Sequence, residues 1–180
     1  MNTVDITEIY PILQDKHMYA QSGLSLVTIY DDNWFVRNDY DILSRGQRDY
    51  LQTFFHQQGF KQKTGKVMVN GEIEVHFPDP KRVLALSSYF PEMLKPDANY
   101  LIAVTPTTFA EALFHQQIAN QTDSLDSIKS LIDKCPYNIE LLRDISYRTA
   151  IEDITKASFD ELKRYQQQVI IKKFKRKKAL

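Results

Sequence analysis

The sequence has few of the residues and motifs on which small enzymes and secreted folds commonly depend. Cys135 is the only cysteine among 180 residues, which excludes an intrachain disulfide and favours a reducing compartment. The five glycines form neither a phosphate-binding P-loop nor a dinucleotide-binding fingerprint. Nucleophile-elbow and HExxH motifs are also missing. We therefore expect no cofactor, and a binding function is favoured over a catalytic one.

Long apolar runs are missing as well. The longest, such as Tyr100–Val104, have about five residues, whereas a membrane-spanning helix needs roughly 20. The first residues include early acids and lack the basic-then-apolar pattern of a signal peptide. Hydrophobic residues make up 43% of the chain and aromatic residues 12%, which is enough for a globular core. The sequence thus predicts a cytoplasmic globular protein without a transmembrane segment.

The first third of the chain predicts helices and a hairpin. Apolar residues at helical spacing predict a first helix over residues 5–20. Residues 24–30 have the pattern of a strand, and Trp34–Val36 that of its hairpin partner after an Asp-Asp-Asn turn. Ser44 and Gln47 have the spacing of a capping box and predict the start of a second helix.

Residues 66–77 carry the clearest local signal. Asn70-Gly71 between two alternating segments is typical of a type I′ hairpin. A turn centred on this pair places Met68 opposite Ile73. The face predicted to be buried consists of Met68, Ile73, Val75 and Phe77.

The C-terminal half is mostly helical in pattern. Tyr100–Val104 predicts a buried strand, after which Thr105 and Pro106 begin a helix that runs to about residue 120. Its predicted core face is Phe109, Ala112, Leu113 and Ile118. Further helices are predicted over residues 124–134 and 139–154, and a last one begins at a Ser158/Glu161 capping box. The patterns of residues 81–90 and 137–143 fit either a helix or a strand.

Together these patterns predict an α+β fold. Residues 1–105 form a part with a small mixed or antiparallel sheet and hairpins, and residues 106–180 form a helical part that packs on it. The helical part ends in a long basic helix, and the two parts share one compact unit.

A strand-to-helix junction supplies one candidate binding site. Thr105, Thr107 and Thr108 lie where the predicted strand enters the helix, and the amides and hydroxyls of a helix N-terminus can contact a phosphate. Ordinary helix capping explains the same residues and is favoured.

Acidic, histidine and cysteine residues give weaker signals. Asp31-Asp32-Asn33 and Asp39-Tyr40-Asp41 offer oxygens, yet their spacing does not match an EF-hand and their residue types are those of turns. The four histidines lack metal-ligand spacing, and the single cysteine precedes a proline at a predicted helix end. We expect structural roles for all of them, with no metal site and no catalytic residue.

The C-terminus is the one segment whose charge is unusual. Removing its six basic charges leaves 17 basic and 23 acidic residues, so residues 1–171 have a formal charge of −6. A concentrated basic end on an acidic body attracts an anionic partner. The predicted anion- or nucleic-acid-binding residues are Lys163, Arg164, Lys172, Lys173, Lys175, Arg176, Lys177 and Lys178.

Several functions remain compatible with this end. Three roles fit the basic end: contact with nucleic acid, docking on an acidic protein or on the chain's own acidic surface, and a solvated helix end without a ligand. An anionic membrane surface is the least favoured partner, because Phe174 alone is a poor apolar anchor. The leading hypothesis is a non-catalytic binding or adaptor protein that engages a protein or another anionic partner. A nucleic-acid-binding protein and a small enzyme of unrecognised type are the alternatives.

Overall fold

The structure is a computed structural model that describes residues 11–32, 41–79, 87–95 and 99–174. Single 3₁₀ turns at Ile12–Gln14 and Pro91–Leu94 complete the regular elements, and a π-helical turn at Ile170–Phe174 extends the last helix. The strands are β1 (Met18–Ala20), β2 (Leu26–Ile29), β3 (Lys61–Thr64), β4 (Val67–Asn70), β5 (Ile73–His76) and β6 (Tyr100–Val104). The α-helices are α1 (Arg45–Gln57), α2 (Pro106–Ala119), α3 (Asp126–Lys134), α4 (Ile139–Ile145) and α5 (Glu152–Val169).

The strands form a six-stranded mixed sheet in the order β1-β2-β6-β5-β4-β3. Its centre is parallel, because β6 pairs in parallel with β2 on one side and with β5 on the other. Both flanks are antiparallel: β1 pairs with β2, and the β5-β4-β3 meander forms the other flank. The α+β class is therefore confirmed, with the sheet in the N-terminal half and most helices after it.

Alternating side chains of the sheet enter two separate cores. Residues of β2 and β6 such as Val27 and Leu101 pack with α1 on one face, called here the α1 face. Their neighbours Leu26 and Ile102 pack with α2, α3, α4 and α5 on the opposite face, called here the helical face. Burial on both faces explains why these central strands are continuous apolar runs rather than alternating ones.

Local capping signals are confirmed at the starts of α1 and α2. Ser44 accepts from Gln47 N at 3.1 Å, and Gln47 Oε1 accepts from Ser44 N at 2.7 Å, which completes the capping box of α1. Gly59 follows the C-cap of α1 with φ +93°, a conformation that glycine adopts without a steric cost. Thr105 caps α2 with Pro106 at its first position, as predicted.

The Asn-Gly hairpin forms, with a register that differs from the prediction. Met68 pairs with Val75 rather than with Ile73, so Gly71 and Glu72 are the central residues of the turn. Gly71 takes the first central position with φ +61°, where a type II′ turn requires glycine. Because the shift is two residues, the buried face is unchanged and the α1 face receives Met68, Val75 and Phe77.

The predicted first helix over residues 5–20 is wrong in its second half. After a single 3₁₀ turn, the Asp15 carboxylate accepts from His17 N at 2.8 Å and from Met18 N at 3.0 Å. This local turn competes with helix formation and leads into strand β1, whose residues are all buried and pair with β2. Residues 1–10 lie outside the described ranges.

The strand predicted over residues 24–30 forms as β2. It pairs with β1 over Val27–Ile29 and with β6 over Leu26–Thr28. Trp34–Val36, its predicted hairpin partner, lies outside the described ranges, as do residues 81–86 of the ambiguous segment 81–90.

Three details of the helical half differ from the prediction. Ile118 is 43% exposed, and α2 buries Phe114 and Gln117 in its place. The helix predicted over residues 139–154 breaks after α4, where Arg148 has φ +60°. Ser158 lies inside α5 rather than at its start, with its hydroxyl donating to Ile154 O at 2.7 Å. This back-bonding uses the hydroxyl that the predicted capping box needed.

Candidate functional site

The carboxyl ends of the three parallel strands meet at one edge of the sheet. After β2 the chain continues to α1 on the α1 face, whereas after β6 it continues to α2 on the helical face. Adjacent parallel strands whose connections diverge in this way leave a crevice outside their carboxyl ends, and α/β proteins commonly bind ligands there. The first turn of α1 is tied to this edge, because Gln47 Nε2 donates to Tyr30 O at 3.3 Å.

Asp41 is the central side chain of the crevice. It lies just before the N-cap of α1, and its carboxylate accepts hydrogen bonds from the hydroxyls of Thr105 and Thr108 in the first turn of α2. Asp41 is 8% exposed and forms no ion pair with the described residues. Burial raises the pKa of the Asp41 carboxyl, and the two threonine hydrogen bonds oppose that shift only in part. A buried carboxyl of this kind favours the protonated, neutral form.

A cavity of about 90 Å³ adjoins this carboxyl. The Arg48 guanidinium lines it and donates to Pro78 O at 3.0 Å. The polar residues around the cavity are Asp41, Arg48, Asp79, Ser88, Thr105 and Thr108.

The three candidate phosphate contacts of α2 have separate environments. Thr105 and Thr108 bind Asp41, so this carboxylate of the protein itself lies at the helix N-terminus. Thr107 is buried and its hydroxyl accepts from Asn138 N at 3.2 Å. Phosphate binding by the three threonines stays a prediction.

A larger groove lies on the helical face of the sheet, over β4, β5 and the start of β6. No described helix covers β3, β4 and β5 on this face, called here the open half. The groove has a volume of about 510 Å³. Its lining is mainly apolar and includes Val67, Pro78, Phe90 and Ile102.

A polar network on the open half adjoins the groove. Glu74 Oε2 lies 2.9 Å from His76 Nε2, and Glu74 Oε1 accepts from Lys63 Nζ at 3.1 Å. Hydrogen bonds from Lys63 and then His76 lower the pKa of the Glu74 carboxyl. The edge of the His76 ring packs on Tyr100, with centroids 5.6 Å apart. Residues 74 and 76 share one face of β5 because strand side chains alternate.

Sequence reasoning missed His76 as a site residue. The available signal was the Glu-x-His spacing in a predicted strand, which places both side chains on one face. That signal is weak, because it does not show whether helices cover the face.

The predicted basic site is only partly within the described residues. Lys163 Nζ lies 3.4 Å from Glu140 Oε1, and Arg164 Nε donates to Asp160 O at 3.4 Å. Lys172 and Lys173 are exposed on the π-helical turn. The remaining members of the predicted set, residues 175–178, lie outside the described ranges. Anion binding by the whole set stays a prediction.

The turn that carries Lys172 and Lys173 is anchored to the body. Phe174 is buried and stacks on Tyr30, with ring centroids 5.3 Å apart and an interplanar angle of 12°. Ile171 on the same turn is 68% exposed. The stacking of Phe174 on Tyr30 therefore holds the end of the last helix against the body.

Comparison with protein-family models, with curated proteins and with solved structures gave no match. Among the described residues, no group of three or more histidine, cysteine or acidic side chains is placed to hold a metal ion. Over the same ranges, no helix has both the length and the apolar character needed to cross a bilayer.

Proposed function

We propose that this protein is a non-catalytic binding or adaptor protein that holds a segment of a protein partner in the groove of its open half. The groove volume of about 510 Å³ is the observation that carries the proposal. Pockets for small ligands are typically concave, roughly 300–1,000 Å³ in volume and mostly apolar with a few polar groups, and the groove has the same size and character. Apolar side chains line most of this groove, with His76, Glu92 and Tyr100 among its polar members.

Phe90 gives the groove a testable anchor. It is 36% exposed and lines both the groove and the smaller crevice cavity. Exposed aromatic side chains that adjoin a pocket commonly contribute most to protein binding. Tyr147 is an exposed aromatic residue that does not line the groove, so it supplies a matched control.

The test is affinity capture with the full-length protein, its Phe90→Ala variant and its Tyr147→Ala variant, followed by purification and titration of each retained protein. We expect a partner that binds the wild type and Tyr147→Ala with equal affinity. Its affinity for Phe90→Ala should be at least tenfold lower, because the loss of one anchor side chain costs about 1.4 kcal/mol or more of binding free energy. Equal affinity of the partner for all three forms would place its binding elsewhere and contradict the proposal.

Nucleic-acid binding is the second candidate, favoured by the anchored turn that exposes Lys172 and Lys173. Shortening the chain before Phe174 would remove a buried core side chain, so charge variants are the sharper test. One charge variant replaces all six basic residues of the end by glutamine, at positions 172, 173, 175, 176, 177 and 178. It should lose salt-sensitive binding to labelled DNA or RNA. Lys61→Gln with Lys95→Gln, at exposed lysines elsewhere, should leave that binding unchanged.

Each outcome of that titration has a definite meaning. Six phosphate contacts imply a log–log salt slope of roughly −5 on duplex DNA. A shallow slope, or equal binding by both charge variants, would remove nucleic acid as the ligand of this end.

A small enzyme is the third candidate, favoured by the convergence of Asp41, Thr105 and Thr108 on the crevice cavity. Carboxyl groups with pKa values shifted by burial are common in catalytic sites and also occur in purely structural ones. A screen with chromogenic ester, phosphate and glycoside substrates would compare the wild type with Asp41→Asn. Turnover that disappears in this variant while the fold persists would favour the enzyme over the binding protein.

We also propose a cytoplasmic location. The single cysteine, Cys135, is fully buried, and its thiol donates a weak hydrogen bond to His17 O at 3.5 Å. This arrangement supports a structural thiol that needs no oxidising compartment.

A further inference from the structure

The groove has polar groups whose chemistry narrows its ligand, if the proposed function is correct. Lys66 lines the groove and pairs with the Asp79 carboxylate, and Lys63 beside the groove pairs with Glu74. Glu92, in contrast, lines the groove and its carboxylate forms no ion pair with the described residues. Among the described lining residues, the charge left without an ion pair is therefore negative.

His76 adds a hydrogen-bond acceptor. The Glu74 carboxylate can only accept, so the ring nitrogen 2.9 Å away, Nε2, must carry the hydrogen. In the neutral imidazole this leaves a lone pair on Nδ1, which forms no hydrogen bond with a described residue. A carboxylate and an imidazole acceptor in one groove both select for donor groups on the ligand.

We propose that the groove binds an extended peptide segment of a protein partner in which a bulky apolar side chain lies within a few residues of Lys or Arg. The apolar side chain packs against Val67, Phe90 and Ile102, and the cation pairs with Glu92. A backbone or side-chain N–H of the peptide donates to His76. The apolar contact supplies most of the affinity, and the exposed charge pair supplies selectivity.

The experiment uses a displayed library of random peptides selected on the full-length wild-type protein and depleted on the Phe90→Ala variant. We expect enriched peptides that contain an aromatic or large aliphatic residue within about three positions of Lys or Arg. Enrichment of acidic or uncharged peptides that still depend on Phe90 would overturn the ligand chemistry and leave the proposed binding function standing. An absence of Phe90-dependent peptides, together with an absence of a Phe90-dependent protein partner, would overturn both.

Single variants then test the ion pair between Glu92 and the peptide's Lys or Arg. The most enriched peptide is synthesised with a fluorescent label, and its affinity is measured by fluorescence polarisation. Glu92→Gln should weaken binding about two- to fivefold, the range for one exposed ion pair. Glu92→Lys should weaken it further, and replacing the peptide's Lys or Arg by Gln should remove the difference between wild type and Glu92→Gln. Because Glu92 is exposed, neither variant should change the thermal unfolding midpoint appreciably.

Two other results identify a different occupant. Equal peptide affinity in wild type, Phe90→Ala and Glu92→Lys would place the peptide outside the groove and overturn the proposal. Sedimentation that shows self-association of the wild type but not of Phe90→Ala would make a second copy of the chain the occupant, which also overturns it. Tyr147→Ala should match the wild type in all of these measurements.

Discussion

The helical face of the sheet is covered by helices over one half, whereas no described helix covers the other half. Over β1, β2 and β6, four helices bury side chains such as Leu26 and Val104 completely or nearly so. Over β3, β4 and β5, no described helix covers the face, and lysine, glutamate and histidine side chains alternate with valines. The covered half supplies stability, whereas the open half offers a surface that a partner can contact. A residue of one type should therefore have different effects in the two halves.

The largest expected contrast is between two phenylalanines. Phe109 belongs to α2 and is fully buried in the core of the helical face, so Phe109→Ala should lower the free energy of unfolding by about 3–5 kcal/mol. Phe90 is 36% exposed beside the groove, and Phe90→Ala should cost about 1 kcal/mol or less. Urea unfolding of both variants measures the difference. Similar losses would show that the open half also belongs to the stabilising core.

Two threonines give the next contrast. Thr108→Val keeps the shape of the side chain but removes a donor to the buried Asp41 carboxyl, which should cost about 1–3 kcal/mol. Thr53→Val at an exposed position of α1 is the matched control and should stay within about 0.5 kcal/mol of the wild type. Combining Thr108→Val with Asp41→Ala should reduce the threonine cost, and a fully additive pair would contradict the role of this hydrogen bond.

Two glycines of the β3–β5 meander test its turns. Gly71 has φ +61°, and a Cβ there would meet no atom within 4 Å, so Gly71→Ala should cost only the backbone strain of about 1–2 kcal/mol. Gly65 is outside the left-handed region and is equally open, so Gly65→Ala should be neutral or slightly stabilising. Thermal unfolding measures both. An unchanged midpoint for Gly71→Ala would mean that the turn relaxes freely.

The smallest expected effects are opposite slopes of stability with pH. Burial raises the folded-state pKa of Asp41, so its contribution is present below the ordinary aspartate pKa and is lost as pH rises through the folded value. Hydrogen bonds lower the folded-state pKa of Glu74, so its contribution is present above the ordinary glutamate pKa and is lost as pH falls.

Charge-neutral variants separate the two slopes. Relative to wild type, Asp41→Asn should become more stable as pH rises, and Glu74→Gln should become more stable as pH falls. Urea unfolding from about pH 3 to pH 8 measures both differences. Slopes of the same sign would contradict the assignment of burial to one carboxyl and of hydrogen bonding to the other.

Sequence reasoning succeeded where a few adjacent residues determine the conformation. The Ser44/Gln47 capping box, the Thr105-Pro106 helix start and the buried face of the Asn-Gly hairpin are all present. In each case the groups that interact lie within four residues or on one strand face, so the physical preference is local. The hairpin register differed from the prediction because a shift of two residues keeps the same side chains on the buried face. Burial therefore does not select between the two registers.

The site was less predictable, since its members are distant in sequence. Asp41 and Thr105 both belonged to candidate clusters, yet their contact joins residues 64 positions apart. His76 was not predicted at all, because a strand pattern alone does not show which part of a sheet face the helices leave open.

The sequence by itself determined the α+β composition, the starts of α1 and α2, and the alternation that buries one face of the β4–β5 hairpin. Tertiary structure decided that residues 18–20 form a strand, because pairing with β2 and burial on both faces outweigh a helical spacing. It also decided that β6 lies between β2 and β5, which places Asp41 at the start of α2 and leaves the groove open beside Phe90. Local preferences are fixed by neighbouring residues, whereas strand order and helix coverage depend on which apolar surfaces can be buried together.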